Sequence, residues 1–338
     1  MNPLTQFLGG HRLRKVRPPV PPVARIAVTT RPIFGPWGGG NQWLLQFSRY
    51  MHYCGYEVVH ELGGGADCVI IQHNGLTGSM SIGFDELAAW RKANPRGRVV
   101  HRINDNDVRK GTGQMDALMA KFNALADHTV FISEWLRDHH AERWFDRSRA
   151  HSCILNGADP SIFHPVGSAH WKSSEPFRLV THHWADNRMK GFDEYAALDS
   201  LIADGTLPGV ELWVIGRWPA DIVWKKARTF GPCAGPALAD LLRQCHGYIT
   251  ASRWEPGGMH FIEGAQCGLP LLFHEDGGGI PELARKYGIG FHDNLAEAAK
   301  RFISEYTHHR SAVLTRPPSG DGMCLAYREI IQRVLAEV

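Results

Sequence analysis

Short runs of β-branched and apolar residues alternate with helix-like stretches along almost the whole chain, and this alternation constrains the fold most strongly. It is typical of parallel sheets that are covered by helices on both faces. The expected strands fall at residues 25–30, 56–62, 68–73, 98–103, 128–133, 152–157, 177–183, 211–216, 247–252 and 269–273. The expected helices fall at 42–54, 85–93, 114–126, 192–203, 235–245, 258–267, 294–306 and 322–338.

The alternation lapses over residues 164–174, which we interpret as a linker between two series of elements. A length of 338 residues suits two domains of roughly 150 residues each. We expect two doubly wound α/β domains, at 24–166 and 167–315, that face each other across a cleft. A basic, proline-rich leader at 1–23 precedes them, and a helix at 316–338 is expected to pack back on the first domain.

Composition narrows the setting. No stretch approaches the ~18 consecutive apolar residues of a membrane-spanning helix. The seven cysteines include no CxxC pair, which favours reduced thiols, a cytoplasmic location and no structural zinc. A net charge of +3 does not indicate nucleic-acid binding, although the basic leader is compatible with peripheral contact to the inner membrane surface.

The segment 252–263, SRWEPGGMHFIE, carries the strongest functional signal. A strand ends at Ser252, and two glycines then open a helix. Backbone N–H groups at Gly257, Gly258 and Met259 would lie at the positive end of that helix, where they suit anionic or oxygen-rich groups. Glu255 and Glu263 are eight residues apart and can contact separate parts of one extended ligand.

Downstream residues extend this motif. Gly268-Leu-Pro270 follows the second glutamate, and Gly278-Gly-Ile-Pro-Glu282 follows in turn. With the glutamate pair, this string resembles the signature of the GT-B glycosyltransferases of family 4, which retain anomeric configuration. Further similarities are Asn156-Gly-Ala-Asp159, Met189-Lys190-Gly191, the glycines at 38–40 and the strand-end histidine His101.

The resemblance implies a role for each matching position. Glu263 would bind the ribose hydroxyls of a nucleotide-sugar donor, and Glu255 the transferred sugar. Lys190 would stabilise the diphosphate, and a fixed cation aimed at developing charge is commonly worth ~3 kcal/mol. His101 would contact the donor sugar or the acceptor near the reacting carbon. The backbone of Gly39 and Gly40 would approach the donor phosphate or the acceptor.

One position departs from the family, whose members usually carry an arginine at the end of the strand before this lysine. Here that position reads His183-Trp184. Arg188, in the following loop, and Arg217, after the next strand, are the two alternatives for a second phosphate-binding cation.

The polar segment 101–110 follows a strand and is therefore expected to face the cleft. We assign Arg102, Asp105 and Asp107 to the acceptor side. The two aspartates form a DxD pattern, which holds a divalent metal in the other large glycosyltransferase fold, but we favour a loop role here. The adjacent histidine pairs at 139–140, 182–183 and 308–309 are poor chelates because neighbouring side chains diverge. No metal and no cofactor are expected.

The sequence therefore predicts a retaining, metal-independent glycosyltransferase that uses a UDP- or GDP-linked sugar and an unidentified hydroxyl acceptor, in polysaccharide or glycoconjugate synthesis. Two alternatives remain at this point. An epimerase or phosphorylase can share the fold, and a non-catalytic protein can bind a nucleotide sugar without turning it over. A nicotinamide enzyme is disfavoured because the first strand leads to three glycines and not to GxGxxG.

Overall fold

The computed structural model describes residues 21–73 and 80–337. The leader predicted at 1–23 therefore lies almost entirely outside the described residues. Within them the chain forms two parallel six-stranded sheets, each flanked by helices.

The first sheet has the strand order β2-β1-β3-β4-β5-β6, and all its pairings are parallel. Its strands are β1 (Arg25–Val28), β2 (Glu57–Val59), β3 (Cys68–Gln72), β4 (Arg98–Ile103), β5 (His128–Phe131) and β6 (His151–Cys153). Its helices are α1 (Gly39–Tyr53), α2 (Phe84–Ala93), α3 (Asp107–Lys110), α4 (Met115–Asn123) and α5 (Glu134–Ala141).

The second sheet has the order β12-β11-β10-β7-β8-β9 and is again entirely parallel. Its strands are β7 (Phe177–His183), β8 (Val210–Gly216), β9 (Arg228–Phe230), β10 (Gly247–Thr250), β11 (Leu271–His274) and β12 (Gly288–Phe291). Its helices are α6 (Phe192–Ala203), α7 (Gly235–Arg243), α8 (Met259–Gln266), α9 (Ile280–Ala284), α10 (Leu295–Ser304) and α11 (Tyr306–Thr315). The prediction of two doubly wound domains is confirmed.

The last helix, α12 (Gly320–Ala336), lies on the first domain although it follows the second. Its buried face packs on α1 and β4. Tyr327 is fully buried and contacts Trp43 and Phe47 with ring centroids 5.2 and 6.0 Å apart. The core of the first domain therefore includes residues from the end of the chain.

Sequence patterns did not predict several short elements. The strands β9 and β12 are sheet edges of three and four residues, and β12 contains two glycines. The helices α3, α5, α9 and α11 were also missed. The helix expected at 294–306 ends at Ser304, and α11 begins after Glu305. None of the helices in the described part of the chain is long and apolar enough to cross a membrane.

Candidate active site

A cleft of about 600 Å³ lies between the carboxyl edges of the two sheets, a size within the range of small-molecule sites. Both domains line it. This is where ligands bind in open α/β sheets, because the loops after parallel strands converge there.

Glu255 lies in the cleft wall, where two cations share its carboxylate. Oε2 is 2.6 Å from Nζ of Lys190, in the same domain, and 3.0 Å from Nε of Arg109, in the other domain. Burial raises the pKa of Glu255, but Arg109 and Lys190 outweigh burial and lower it to about 2. The carboxylate is therefore ionised at neutral pH and joins the domains across the cleft.

The turn that carries Lys190 depends on glycine. The residue ends a short 3₁₀ turn at Arg188–Lys190, and Gly191 follows with φ 80°. A side chain at Gly191 would collide with the carbonyl of Ala251, so only glycine allows the turn to pack on the neighbouring loop. This packing holds Lys190 buried and beside Glu255.

Two helix N-termini meet in the cleft, those of α1 and α8. Both N-caps are glycines, Gly38 and Gly258, and neither helix has a side-chain cap. The helices approach so closely that a Cβ on Gly39 would lie 2.7 Å from Cγ of Met259. First-turn N–H groups lack partners within a helix, so two positive helix ends are open to an anionic ligand here.

Glu263 lies farther along α8, on the same wall of the cleft. Its Oε2 is 2.8 Å from Nε2 of His182, and the hydroxyl of Tyr248 lies 3.1 Å from Nδ1 of that histidine. Pro232 and Cys233 also line the cleft. Glu263 and Glu255 therefore both face the cleft.

The first domain contributes Arg102, Asn104, Asp105 and His73 to the cleft lining. Asp105 lies 3.7 Å from Arg109. At the rim, Trp37 of this domain contacts Trp184 of the other with ring centroids 5.6 Å apart, and both side chains are partly exposed.

The expected contact of His101 with substrate needs correction. His101 is fully buried in β4 and is absent from the cleft lining. Its Nε2 lies 3.2 Å from Nε2 of His73, and its Nδ1 lies 3.1 Å from the Asn123 amide. Side chains alternate between the faces of a strand, and that of His101 points toward α4, beneath His73. His73, immediately after β3, lines the cleft in its place.

Neither arginine proposed as the second phosphate-binding cation lines the cleft. Arg188 is exposed and pairs with Asp221 on the surface. Arg217 is also exposed and donates to the carbonyl of Trp184 at 2.7 Å. Among the arginines of the described residues, Arg102 and Arg109 do line the cleft. Sequence reasoning missed Arg109, although the dense charge at 101–110 indicated that this loop faces the cleft.

Asp107 also differs from its expected place on the acceptor side. Its carboxylate accepts hydrogen bonds from the Thr112 hydroxyl and from the backbone N–H groups that begin α4. It thus acts as a helix cap and is absent from the cleft lining, whereas Asp105 faces the cleft. The DxD carboxylates therefore do not converge on one point of the cleft.

Three histidines that line the cleft, His73, His183 and His260, do not add positive charge at neutral pH. Burial lowers the pKa of His73 to about 4 and holds the pKa values of His183 and His260 well below their usual range.

Two groups of histidine and aspartate side chains lie outside the cleft. One comprises Asp116, His139 and His140, and the other His274, Asp276 and His292. In the first of these, both ring nitrogens of His140 already contact Asp105 and Trp144.

Comparison with known proteins agrees with this arrangement. Residues 223–312, less than half of the chain, match the family model described as glycosyl transferases group 1. Among curated protein sequences, none matches this chain. Its fold is similar to that of sucrose-phosphate synthase from Thermosynechococcus elongatus, with 15% identity, a TM-score of 0.66 and coverage of 94% of this chain and 100% of that one.

Two further structures are similar. For HepE of Anabaena, solved with UDP and glucose, the identity is 14% and the TM-score 0.66, with 92% of this chain and 100% of that chain covered. For WaaG, a glycosyltransferase of lipopolysaccharide biosynthesis, the identity is 13% and the TM-score is 0.62. The match covers 91% of this chain and 99% of the WaaG chain. The fold is GT-B. The fold and the family match at residues 223–312 together identify the chain as a glycosyltransferase of the GT-B fold.

Proposed function

We propose that the chain transfers a sugar from a nucleoside-diphosphate sugar to an acceptor hydroxyl with retention of anomeric configuration. The observation that carries this is the contact of Glu255 with Lys190 beside the uncapped N-terminus of α8. A diphosphate suits the lysine and the helix end, and hydroxyls of the transferred sugar suit the carboxylate.

The donor in this proposal extends along the wall formed by α8. Glu263 binds the ribose hydroxyls, and the base lies toward Pro232 and Cys233. Structures of similar fold were solved with UDP or UDP-glucose, so UDP-linked sugars are the first donors to test, and GDP-linked sugars the second. The half-exposed rings of Trp37 and Trp184 offer apolar faces to a sugar at the rim.

In the transfer step, the acceptor oxygen forms a bond to the anomeric carbon while the bond from that carbon to the β-phosphate oxygen breaks. The departing phosphate accepts the hydroxyl proton, and the products are a glycoside and the nucleoside diphosphate. Lys190 stabilises the charge that develops on the leaving group, by ~3 kcal/mol in a cleft that excludes water. No side chain is assigned as a covalent nucleophile.

We propose that this step needs no metal ion. The two carboxylates of the DxD pattern are committed elsewhere, since Asp107 caps α4 and Asp105 pairs with Arg109. Lys190 and two helix ends supply the positive charge that a metal would otherwise bring to the diphosphate. Activity that is unchanged by a chelator would agree with this assignment.

The experiment is a screen of UDP- and GDP-linked sugars for thermal stabilisation, followed by product analysis with the donor that binds. We expect a glycosylated acceptor and free nucleoside diphosphate. Lys190→Ala is expected to lower kcat at least a hundredfold, because it removes stabilisation of the leaving group. Lys300→Ala, at an exposed ion pair outside the cleft, is the matched control. Full activity of Lys190→Ala, or binding without turnover by the wild type, would refute the proposal.

A further inference from the structure

Arg102 is a buried cation whose surroundings do not balance its charge. It lies near the end of β4 and is 1% exposed. Its guanidinium lies 4.6 Å above the ring of Trp43, and Nη2 donates to Oδ1 of Asn156 at 2.9 Å. Nε and Nη1 are buried and have no hydrogen-bond partner in the described part of the chain.

Several other cations are balanced by carboxylates, and Arg310, a buried arginine of the second domain, instead donates to the Gly268 carbonyl and the Ser168 hydroxyl. Lys190 and Arg109 share Glu255, and Arg91 pairs with Asp127. Arg102 has only neutral groups beside it, the Asn156 amide and the Tyr327 hydroxyl, and neither balances its charge. Burial lowers the pKa of Arg102, but a guanidinium stays charged at neutral pH. An unpaired buried charge is costly for the folded state.

The position of Arg102 suggests why this cost is tolerated. The residue lines the cleft together with Gly39 and Gly40, at the uncapped N-terminus of α1. Its partner Asn156 donates to the carbonyl of Gly257 at 2.5 Å, directly before α8. A fixed guanidinium and a helix N-terminus thus lie along one part of the cleft, and both favour an oxyanion.

We propose that Arg102 is an oxyanion-binding residue, whose ligand is a phosphate or carboxylate group that enters the cleft beside the N-terminus of α1. The proposal rests on the proposed function and deepens it. The oxyanion has two sources within that reaction, the diphosphate of the donor and an acidic group on the acceptor. With the donor as the source, Arg102 supplies from the first domain the second cation that Arg188 and Arg217 do not supply.

The test compares wild type with Arg102→Met, which keeps an apolar stem against Trp43 and removes the charge. Affinities for UDP and for uridine are measured by calorimetry. Inorganic phosphate is then titrated into UDP-saturated protein while the melting temperature is followed. Arg98→Met is the matched control, because Arg98 lies on the same strand but donates to the carbonyls of Val334 and Glu337, away from the cleft.

Two results support the proposal and separate its sources. A loss of about tenfold or more in affinity for UDP, with affinity for uridine unchanged, assigns Arg102 to the donor diphosphate. Unchanged affinity for UDP, with loss of a stabilisation by phosphate that the wild type shows, assigns it to an anionic acceptor. In either case Arg102→Met without ligand is expected to melt no lower than wild type, because an unbalanced buried charge has been removed.

The proposal is overturned if wild type and Arg102→Met have the same affinity for UDP and are stabilised to the same extent by inorganic phosphate. If Arg102→Met does not fold, Arg102→Lys replaces it, and a weakening of several-fold is expected because an ammonium lacks the planar fork. Equal affinities of Arg102→Lys and wild type for both probes would overturn the proposal in that case. Wild-type protein that binds neither UDP nor any nucleotide sugar would instead refute the proposed function itself.

Discussion

At the scale of single residues, Glu255 links the chemistry of the cleft to the stability of the fold. Burial raises its pKa, and the adjacent Arg109 and Lys190 lower it from 4.5 to about 2. A carboxyl group whose pKa is depressed on folding contributes stability that is complete above its unfolded pKa. That contribution is lost as the pH falls toward the folded pKa, so the relevant window lies between about pH 5 and pH 2.

We therefore expect Glu255→Gln to lower the free energy of unfolding by ~3 kcal/mol at pH 7. The difference from wild type should fall to less than half of that at pH 3, because the wild-type carboxyl is by then protonated in the unfolded state while it is still largely ionised in the folded state. Urea unfolding at pH 7, 5 and 3 measures this. Glu297→Gln, at an exposed pair with Lys300, serves as the control. A difference that is equal at pH 3 and pH 7 would contradict the argument.

The residues of the site were predictable to the extent that they belong to local patterns. Glu255, Glu263 and Lys190 lie in the cleft because each follows a strand or glycine turn whose position the sequence fixes; their roles remain predictions. Arg109 was missed because its contact with Glu255 joins residues 146 positions apart, in different domains. The prediction put His101 in the cleft because it lies near the end of β4. Successive side chains of a strand point to opposite faces, and that of His101 points away from the cleft.

At the scale of elements, α5 of the first domain is capped from the second. The carboxylate of Glu282, in α9, accepts hydrogen bonds from the backbone N–H groups of Glu134 at 2.9 Å and Trp135 at 2.5 Å. The hydroxyl of Ser133 accepts from Leu136 and donates to the carbonyl of Pro256. The first turn of α5 is thus satisfied, and its cap also connects the domains.

Glu282→Ala is expected to cost about 1–2 kcal/mol of stability, because two N–H groups in the first turn of α5 lose their acceptor. Burial raises the pKa of Glu282, so the negative charge itself adds little, and Glu282→Gln is expected to stay within about 0.5 kcal/mol of wild type. Chemical unfolding of both variants measures these differences. Equal destabilisation by glutamine and alanine would show that charge, and not hydrogen bonding, holds the contact.

Elements with a long apolar pattern were predicted well. The strand β7 and the helix α6 have the expected bounds, because each buries a continuous apolar face. The five-residue helix α9 has no such pattern, and Gly-Ile-Pro-Glu was interpreted only as part of a motif. Two of the three residues of the edge strand β9 are exposed. Its sequence therefore lacks the alternation of apolar and polar residues that marks a half-buried strand.

At the scale of the whole molecule, the chain passes between the domains twice, after β6 and again before α12. The second passage returns the last helix to the first domain, where Ile331 is fully buried beside α1. The second domain has two apolar clusters, one of which also includes Ala158 and Phe163 from the segment after β6, and neither includes a residue of the cluster around α1 and α12. The two cores are therefore separate, and a short series of polar contacts connects them across the cleft: Arg109–Glu255, Asn106–Trp254, Ser133–Pro256, Asn156–Gly257 and Glu134–Glu282.

We expect Ile331→Ala to destabilise the first domain alone, by about 2–5 kcal/mol, because it leaves a cavity between α12 and α1. Scanning calorimetry should then show two transitions, with the second domain unfolding later. UDP, which is expected to bind mainly to that domain, should raise the later transition. Leu325→Ala, at a partly exposed position of the same helix, should leave the profile nearly unchanged. A single transition that moves as a whole would mean that the polar contacts across the cleft couple the two cores into one folding unit.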